Sequence, residues 1–267
     1  MTTTIACWNV NSVKARLPLV LRWLEETAPD IACLQELKCV DDAFPRSVIE
    51  DLGYHIETHG QKTYNGVALL SKMPAEDVQR GIPNFADEQA RYIEAVYSVG
   101  TGAVRVASLY APNGNGEPPK YEYKLNWMAA LSDHLDTLLP YEEHLVLAGD
   151  YNVIATDADC YDPAAWEGDA LYRPETRAAF RTLLNKGMCE AIAETYPLSG
   201  RELGEDSYTF WDYQAGAWRK NNGIRIDHHL LSPRATDAII ASGIDKDWRG
   251  EEKPSDHVPV WVELDIG

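Results

Sequence analysis

Short apolar or alternating segments recur along the chain, separated by polar and turn-forming stretches. Segments of this length and alternation are typical of β-strands. They are spread from one end of the chain to the other, so sheet structure is predicted throughout. The predicted strands lie in TIACWNV, DIACLQE, YHIETHG, GVALLS, YIEAVYSV, VRVASLYAP, HLVLAGDYNV, RIDHHLLS and VPVWVELDI.

Helical spacing of apolar residues occurs between some of these strands. In SVKARLPLVLRWLEETAPD, Ser12 is a predicted N-cap, although Pro18 weakens the first turn. Similar patterns in KLNWMAALSDHLDTLLP and RPETRAAFRTLLNKG predict two further helices. The mixture of strands and helices, with no repeat and no low-complexity linker, predicts one α/β (α+β) domain over residues 1–267. Its expected architecture is two β-sheets with helices outside them.

Composition narrows the class of protein. Hydrophobic residues make up 45% and charged residues 25%, as in ordinary globular proteins. No apolar run approaches the ~20 residues of a membrane span, and the N-terminal MTTTIACWNV has no features of a signal peptide. The five cysteines show no CxxC spacing, which favours buried reduced thiols over a zinc site or disulfides. A cytoplasmic protein with no membrane partner is expected.

The charge of the chain is strongly negative, with a formal value of −18. That charge opposes binding to nucleic acid through the whole surface. Residues 125–172 contain no Lys or Arg, so cations are concentrated elsewhere. We expect them to converge on one face of the protein; they are Lys14, Arg16, Lys38, Lys120, Lys124, Arg219, Lys220, Arg225 and Lys253.

Polar side chains stand at or near the ends of six predicted strands. Because residues i and i+2 of a strand share a face, Asn9 with Asn11, and Asp150 with Asn152, can each present two groups to one place. Catalytic groups concentrate at such positions on a rigid scaffold. The full set is Asn9, Asn11, Glu36, Tyr110, Asn113, Asp150, Asn152, Asp227, Asp256 and His257.

These residue types suit hydrolysis of a phosphate ester. Glu36 offers the hard oxygen that Mg²⁺ prefers, and a metal held there can polarise a phosphoryl oxygen. Asp150 can orient or deprotonate a water, while Asn152 can donate to a phosphate without adding charge.

The remaining groups favour the same chemistry. Asp227 beside His257 fixes the imidazole and favours its protonated form. The Tyr110 hydroxyl can donate to the phosphate or to the leaving group.

Each residue also has a structural interpretation when it is taken alone. Asp150 can be a turn residue, Glu36 can form a surface pair with Lys38, and Asp256 with His257 can be a buried hydrogen-bonded pair. Asn9 and Asn11 can satisfy loop backbone, and Tyr110 can simply pack. The combination, rather than any single residue, favours a catalytic site.

The ordered motifs resemble the exonuclease III family of abasic-site endonucleases, in the endonuclease/exonuclease/phosphatase superfamily. GDYN alone is a weak signal, but its order with LQE, RID and SDH is specific, and the resemblance covers essentially the whole chain. The matching segments are WNVNSVKAR, DIACLQELK, GYHIETHGQKTYNGVALLSK, QARYIEA, YAPNG, LAGDYNVIATDAD, YTFWDY, NNGIRIDHHLLS and EKPSDHVPVW.

The resemblance implies a four-layer sandwich and hydrolysis that depends on Mg²⁺ or Mn²⁺. It implies three activities on duplex DNA: incision 5′ to an abasic site, 3′→5′ exonuclease action, and removal of 3′-phosphate and related blocks. A monomer acting on DNA with abasic sites or blocked 3′ ends is expected. The implied catalytic residues are Tyr110, Asp150, Asn152, Asp227 and His257. The implied metal-side residues are Asn9, Glu36, Asp150, Asn152, Asp256 and His257.

The resemblance also implies substrate contacts. Asn11 and Asn113 match polar positions near metal or phosphate, and Arg91 resembles a contact to a DNA phosphate. Phe210 and Trp211, in YTFWDY, are predicted to wall a small apolar pocket for a flipped abasic nucleotide. The structural alternatives are a solvated charge for Arg91 and two core aromatics for YTFWDY.

Three positions depart from the family pattern: Ser12, Leu37 and His229. None of them removes a predicted ligand, and Ser12 and His229 affect the fine geometry. Two other functions remain open. One is a small-molecule or lipid phosphodiesterase or phosphatase, or a non-specific nuclease, which suits the acidic surface. The other is a catalytically inactive binding module, which predicts lost carboxylates or histidine; none is lost here.

Overall fold

A computed structural model describes residues 2–267, which form two six-stranded β-sheets. The strands are β1 (Thr2–Asn9), β2 (Ile31–Gln35), β3 (His55–His59), β4 (Val67–Ser71), β5 (Glu76–Arg80), β6 (Tyr92–Val99), β7 (Gly102–Tyr110), β8 (His144–Asp150), β9 (Cys189–Glu190), β10 (Asp227–Leu231), β11 (Ile239–Ile244) and β12 (Val260–Asp265). The first sheet has the order β11-β12-β1-β2-β4-β3, and the second has the order β5-β6-β7-β8-β10-β9.

Helices cover the outer faces of both sheets, so the predicted sandwich of four layers is confirmed. The helices are α1 (Leu17–Thr27), α2 (Arg46–Glu50), α3 (Pro118–Leu138), α4 (Pro174–Asn185), α5 (Ala191–Leu198), α6 (Ala217–Lys220) and α7 (Pro233–Asp237). One buried cluster lies between the sheets, a second joins the first sheet to α1 and α2, and a third joins the second sheet to α3 and α4.

The nine predicted strands are all present, but β5, β9 and β11 carried too little alternation to be predicted. The predicted cap at Ser12 is wrong. Helix α1 begins at Leu17 after Arg16, and Pro18 occupies its first turn, where the missing N–H costs nothing. Ser12 instead has a positive φ of 88°, because the chain turns there between β1 and α1.

Strand register brings the polar strand ends together. Strands β1 and β2 run parallel with Asn9 opposite Gln35, so Glu36 emerges beside Asn9. In the second sheet Tyr110 lies opposite Asp150, and Asp150 lies opposite Asp227. Because β1 and β2 pack face to face with β7 and β8, these ends meet at one edge of the sandwich.

All five cysteines are free thiols, and four of them are buried, while Cys189 is half-buried. Among residues 2–267, no helix has the length and apolarity that crossing a lipid bilayer requires.

A buried ion network anchors the start of β10. The Arg225 guanidinium lies 2.7 Å from Asp159 and 2.5 Å from Glu190, and all three side chains are at most 5% exposed. Burial alone would raise the pKa of Glu190, but Arg225 and His228 outweigh it and hold that pKa well below its ordinary value. The network therefore depends on both carboxylates staying ionised.

Replacing Arg225 by Met is expected to lower the free energy of unfolding by about 3–5 kcal/mol, because two buried carboxylates lose their cation. The matched control is Arg80→Met, which removes the exposed pair with Glu57 and should cost less than about 1 kcal/mol. Urea denaturation at neutral pH measures both. Equal losses in the two variants would contradict the assignment of the buried network as the stabilising one.

Candidate active site

The centre of the site is Asn9, which is fully buried at the end of β1. Its amide nitrogen donates to Glu36 Oε1 and to Asp150 Oδ2, at 2.9 Å each. Its own oxygen accepts from the backbone N–H of Asn11 at 3.0 Å. Asn9 therefore holds two carboxylates side by side, which like charges would not do unaided.

The donor set at this centre fits a divalent cation. Ligand atoms of Glu36, Asp150 and His257 all lie within 4.8 Å of one another, and two of the three are carboxylates. Carboxylate oxygens are the ligands that Mg²⁺ and Mn²⁺ favour. The carboxylates of Glu36 and Asp150 are the groups that would hold the metal, and His257 lies beside them.

Three other residues predicted on the metal side lie at the same centre but have different partners. Asn9 turns its nitrogen toward the carboxylates, and the Asn152 oxygen accepts from Asn113 at 3.2 Å. Asp256 accepts from Asn11 at 3.0 Å and is not one of the three clustered ligands. In this arrangement the hydrogen bonds of Asn9, Asn152 and Asp256 position the side chains around the carboxylates of Glu36 and Asp150.

The predicted pairing of Asp227 with His257 is present. Asp227 Oδ2 lies 2.8 Å from His257 Nδ1, and the other ring nitrogen lies 3.6 Å from Asp150 Oδ2. Burial alone would lower the pKa of His257, but Asp227 and Asp150 outweigh it and raise the pKa to about 10. The imidazole is therefore a cation with its Nε2–H directed at the centre.

Asp150 is almost completely buried and has a raised pKa of about 7. Burial is the main cause, opposed by the His257 charge, while the Asp227 charge adds to the rise. Its Oδ1 accepts the backbone N–H of Asn152 at 2.8 Å. A carboxylate with this pKa is suited to accepting a proton near neutral pH.

Asn152 follows Asp150 in a left-handed conformation, with φ of 50°. Its amide nitrogen donates to the carbonyl of Ala111 at 2.9 Å, which uses one of its two N–H bonds. The other N–H is available to a phosphate oxygen. Asn113 is exposed at the surface next to it.

Tyr110 and Arg91 form one unit. The Arg91 guanidinium lies 4.9 Å from the Tyr110 ring centre and donates to the Tyr110 carbonyl at 3.1 Å. Arg91 is only 9% exposed and also donates to Gln89 at 2.9 Å. Its guanidinium group is therefore held in place against Tyr110. The solvated charge expected as the alternative is therefore wrong, and the contact to a DNA phosphate stays a prediction.

The Tyr110 phenol stays protonated at neutral pH. Burial and the carboxylates of Glu36 and Asp150 raise its pKa well above the ordinary value, while Arg91 opposes the rise. The charge of the Glu36 carboxylate is the largest of these electrostatic causes after burial. The protonated hydroxyl can therefore act as a hydrogen-bond donor next to the metal ligand.

A second network borders the centre on the side of β1. Lys38 lies 2.8 Å from Glu36 Oε2 and also donates to Asn11 Oδ1. Arg16 donates to the Tyr213 hydroxyl at 2.8 Å, and Tyr213 is half exposed. The sequence analysis placed Lys38 in a surface pair with Glu36 and among the converging cations, and it assigned no role to Tyr213. The available signals were their positions within LQELK and YTFWDY.

The predicted pair of pocket aromatics separates in the structure. Phe210 is half-buried with its ring centre 4.9 Å from that of His257, so it lies beside the catalytic groups. Trp211 is wrong as a substrate contact: it is 0% exposed, packs on Trp218 and donates to Asn221. Adjacent residues of an extended segment face opposite ways, so only one of the two can reach the surface.

The expected convergence of basic residues is wrong for two of them. Lys124 and Arg225 are buried, at 0% and 2% exposure, and cannot contribute to a surface. Lys38 and Arg16 do border the site through Asn11. Burial lowers the pKa of Lys124 to about 7, although the Asp150 charge opposes this.

Replacing Asp227 by Asn is expected to lower the pKa of His257 by about 1–3 units, because the main opposite charge is lost. The wild-type imidazole, with its pKa of about 10, should stay protonated through neutral pH. Imidazole ¹⁵N NMR during a pH titration of the metal-free protein measures this, with His134, paired to Glu94, as the internal control. An unchanged His257 titration would contradict the electrostatic role of Asp227.

Comparisons with known proteins agree with this geometry. The sequence profile of the Endonuclease/Exonuclease/phosphatase family matches residues 6–257. The chain is 32% identical to exodeoxyribonuclease III of Haemophilus influenzae, over 96% of this chain and 98% of that protein.

Solved structures give the same result. The 3′ phosphatase NExo from Neisseria, bound to a product DNA hairpin, is 38% identical with a TM-score of 0.92, over 98% of this chain and 99% of that one. An AP endonuclease from Archaeoglobus fulgidus is 32% identical with a TM-score of 0.90, over 99% of this chain and 100% of that one. The chain therefore belongs to the endonuclease/exonuclease/phosphatase family, in its exonuclease III group, and is a metal-dependent phosphodiester hydrolase.

Proposed function

We propose that this enzyme is a Mg²⁺-dependent DNA repair nuclease that acts on duplex DNA. Its proposed activities are incision 5′ to an abasic site, 3′→5′ exonuclease action and removal of 3′-phosphate. The observation that carries the proposal is the meeting of Glu36, Asp150 and the Asp227–His257 pair around Asn9. The relatives supply the substrate class, since exodeoxyribonuclease III, a 3′ phosphatase and an AP endonuclease are among them.

The proposed reaction is attack of a water on the scissile phosphorus. A metal held by Glu36 and Asp150 would supply positive charge that polarises the phosphate and stabilises the leaving oxygen. Asp150 orients the water and accepts its proton as the new P–O bond forms and the P–O bond to the leaving oxygen breaks. This role fits the raised pKa of Asp150, near 7.

Three side chains stabilise the phosphate in this scheme. The protonated His257 donates from Nε2 to a non-bridging oxygen, held in that state by Asp227. The free N–H of Asn152 donates to a second oxygen, and the Tyr110 hydroxyl donates to the phosphate or the leaving group. The proposed site is complete within one chain, and a monomer is the proposed working unit.

Recognition of an abasic nucleotide is assigned to the apolar patch next to His257. Phe210, Trp166 and Tyr172 are its partly exposed members. The aliphatic side chains beneath them are at most 4% exposed: Ile154, Leu171, Ile224 and Ile226. A flipped sugar would pack against this patch and displace the exposed aromatics.

One observation favours action at 3′ ends as the main activity. The aliphatic members of the patch are closely packed with Phe210, so entry of a flipped sugar requires side chains to move. A terminal 3′-phosphate reaches Asp150 and His257 without entering the patch. The 38% identity with the Neisseria 3′ phosphatase supports the same preference.

The acidic surface is compatible with DNA if binding is local. Exposed Lys14, Arg219, Lys220 and Lys253, together with Arg16 and Lys38 at the border of the site, are the proposed phosphate contacts. Free thiols throughout the chain support a reducing, cytoplasmic location.

Asp150→Asn is expected to reduce cleavage at least about 10³-fold, because the water loses its proton acceptor and the metal loses a carboxylate. The assay uses a duplex with one tetrahydrofuran abasic analogue and a second duplex with a 3′-phosphate at a nick, each with Mg²⁺ or with EDTA. Cleavage that survives chelation, or robust cleavage by the variant, would refute the proposal.

Phe210→Ala is expected to reduce incision at the tetrahydrofuran site about 10-fold more than release of 3′-phosphate, because only the flipped sugar uses the patch. The ratio of the two rates, measured on the two duplexes above, is the readout. Equal loss on both substrates would instead mean that Phe210 acts through its contact with His257.

A further inference from the structure

Lys124 lies on the buried face of α3. Trp127, Met128 and Leu131 continue that face at helical spacing and are also buried. A lysine at 0% exposure in an apolar stripe is costly unless its ammonium group has specific partners. Lys124 contributes nothing to the DNA-facing surface, so its role has to come from what it contacts inside.

The ammonium group of Lys124 joins two loops. It donates to the carbonyl of Asn113, in the loop after β7, at 3.0 Å and to the carbonyl of Asn152, in the loop after β8, at 2.6 Å. Gly114 lets the side chain through, since a Cβ there would lie 2.7 Å from Lys124 Cδ. The backbone of Gly114 also has a positive φ of 87°, so the loop is shaped around this lysine.

Both loops carry groups of the active site. The Asn113 side chain donates to the Asn152 oxygen at 3.2 Å, and the Asn152 backbone N–H donates to Asp150 at 2.8 Å. A shift of either loop would therefore change the direction of the Asn152 amide and the environment of Asp150. Strands β7 and β8 are paired only up to Tyr110 and Asp150, so the ladder itself does not hold these loops.

We infer that Lys124 is a positioning residue: its buried ammonium clamps the loop after β7 to the loop after β8 and so fixes the Asn152 amide against Asp150 for phosphate hydrolysis. This inference rests on the proposed roles of Asp150 and Asn152. It differs from a direct role in catalysis, because the described contacts of Lys124 Nζ are the two backbone carbonyls.

The test compares Lys124→Met, which keeps the length of the side chain but removes its donors, with the wild-type enzyme on the 3′-phosphate duplex. The expected result is a fall in kcat of about 10- to 100-fold, since small misplacement of catalytic groups has that effect. KM should stay within about threefold, because uniform binding of the DNA is untouched. Lys124→Arg, which keeps a cation able to donate to both carbonyls, should recover part of the lost kcat.

Arg105→Met is the matched control. Arg105 is likewise a buried cation, near the other end of β7, paired with Glu94 and Glu143. Its loss should lower Tm without lowering kcat. If the Met variant of Lys124 does not fold, Lys124→Leu, which also removes the donors, is measured against the same expectations.

The inference is overturned if a folded Lys124→Met or Lys124→Leu retains wild-type kcat. It is also overturned if kcat falls only in proportion to the folded fraction, as a purely structural role requires. A third contrary result is an increase in KM alone that grows with salt concentration, as a role of charge in DNA binding requires. These outcomes are separate from failure of the proposed function, in which the wild-type enzyme itself would not release the 3′-phosphate.

Discussion

The bridge made by Asn9 between Glu36 and Asp150 is the interaction on which the site depends. Two carboxylates brought to one place in a buried environment repel each other and would protonate or separate. A neutral amide that donates to both, together with the Asp227–His257 pair behind Asp150, offsets that repulsion. The same arrangement leaves a concentration of negative charge that a divalent cation would complete.

The four-layer architecture explains why this bridge can exist. Asn9 is on the first sheet and Asp150 on the second, so the hydrogen bond between them joins the two halves of the sandwich. Apolar side chains packed between the two sheets fix the distance between the sheets, and the polar groups are attached to this rigid frame. Catalytic geometry is thus a consequence of core packing, supported at the edge by side-chain clamps such as Lys124.

An acidic chain that acts on DNA has few basic side chains available for contacts with phosphate. Several of them are not on the surface at all: Arg225 neutralises two buried carboxylates and Lys124 binds backbone carbonyls. Arg91 supports the Tyr110 ring. Arg16 and Lys38 remain at the border of the site, where both contact Asn11.

The sequence by itself determined the strand segments, the mixed class and the polar residues at the strand ends. Alternation of apolar residues depends only on local geometry, so nine strands could be predicted, whereas β5, β9 and β11 are edge or two-residue strands with weak patterns. Ordered motifs likewise identified Glu36, Asp150, Asp227 and His257, because metal and phosphate chemistry restricts the residue types that can serve.

Only the tertiary structure decided which side of each segment faces the site. Trp211 and Phe210 are neighbours in sequence, yet one is buried and the other lies beside His257, because burial depends on what packs from distant segments. Arg91, Lys124 and Arg225 look like surface cations in the sequence, and partners from other strands and loops draw them inside. Long-range packing, which no local pattern encodes, assigned their roles.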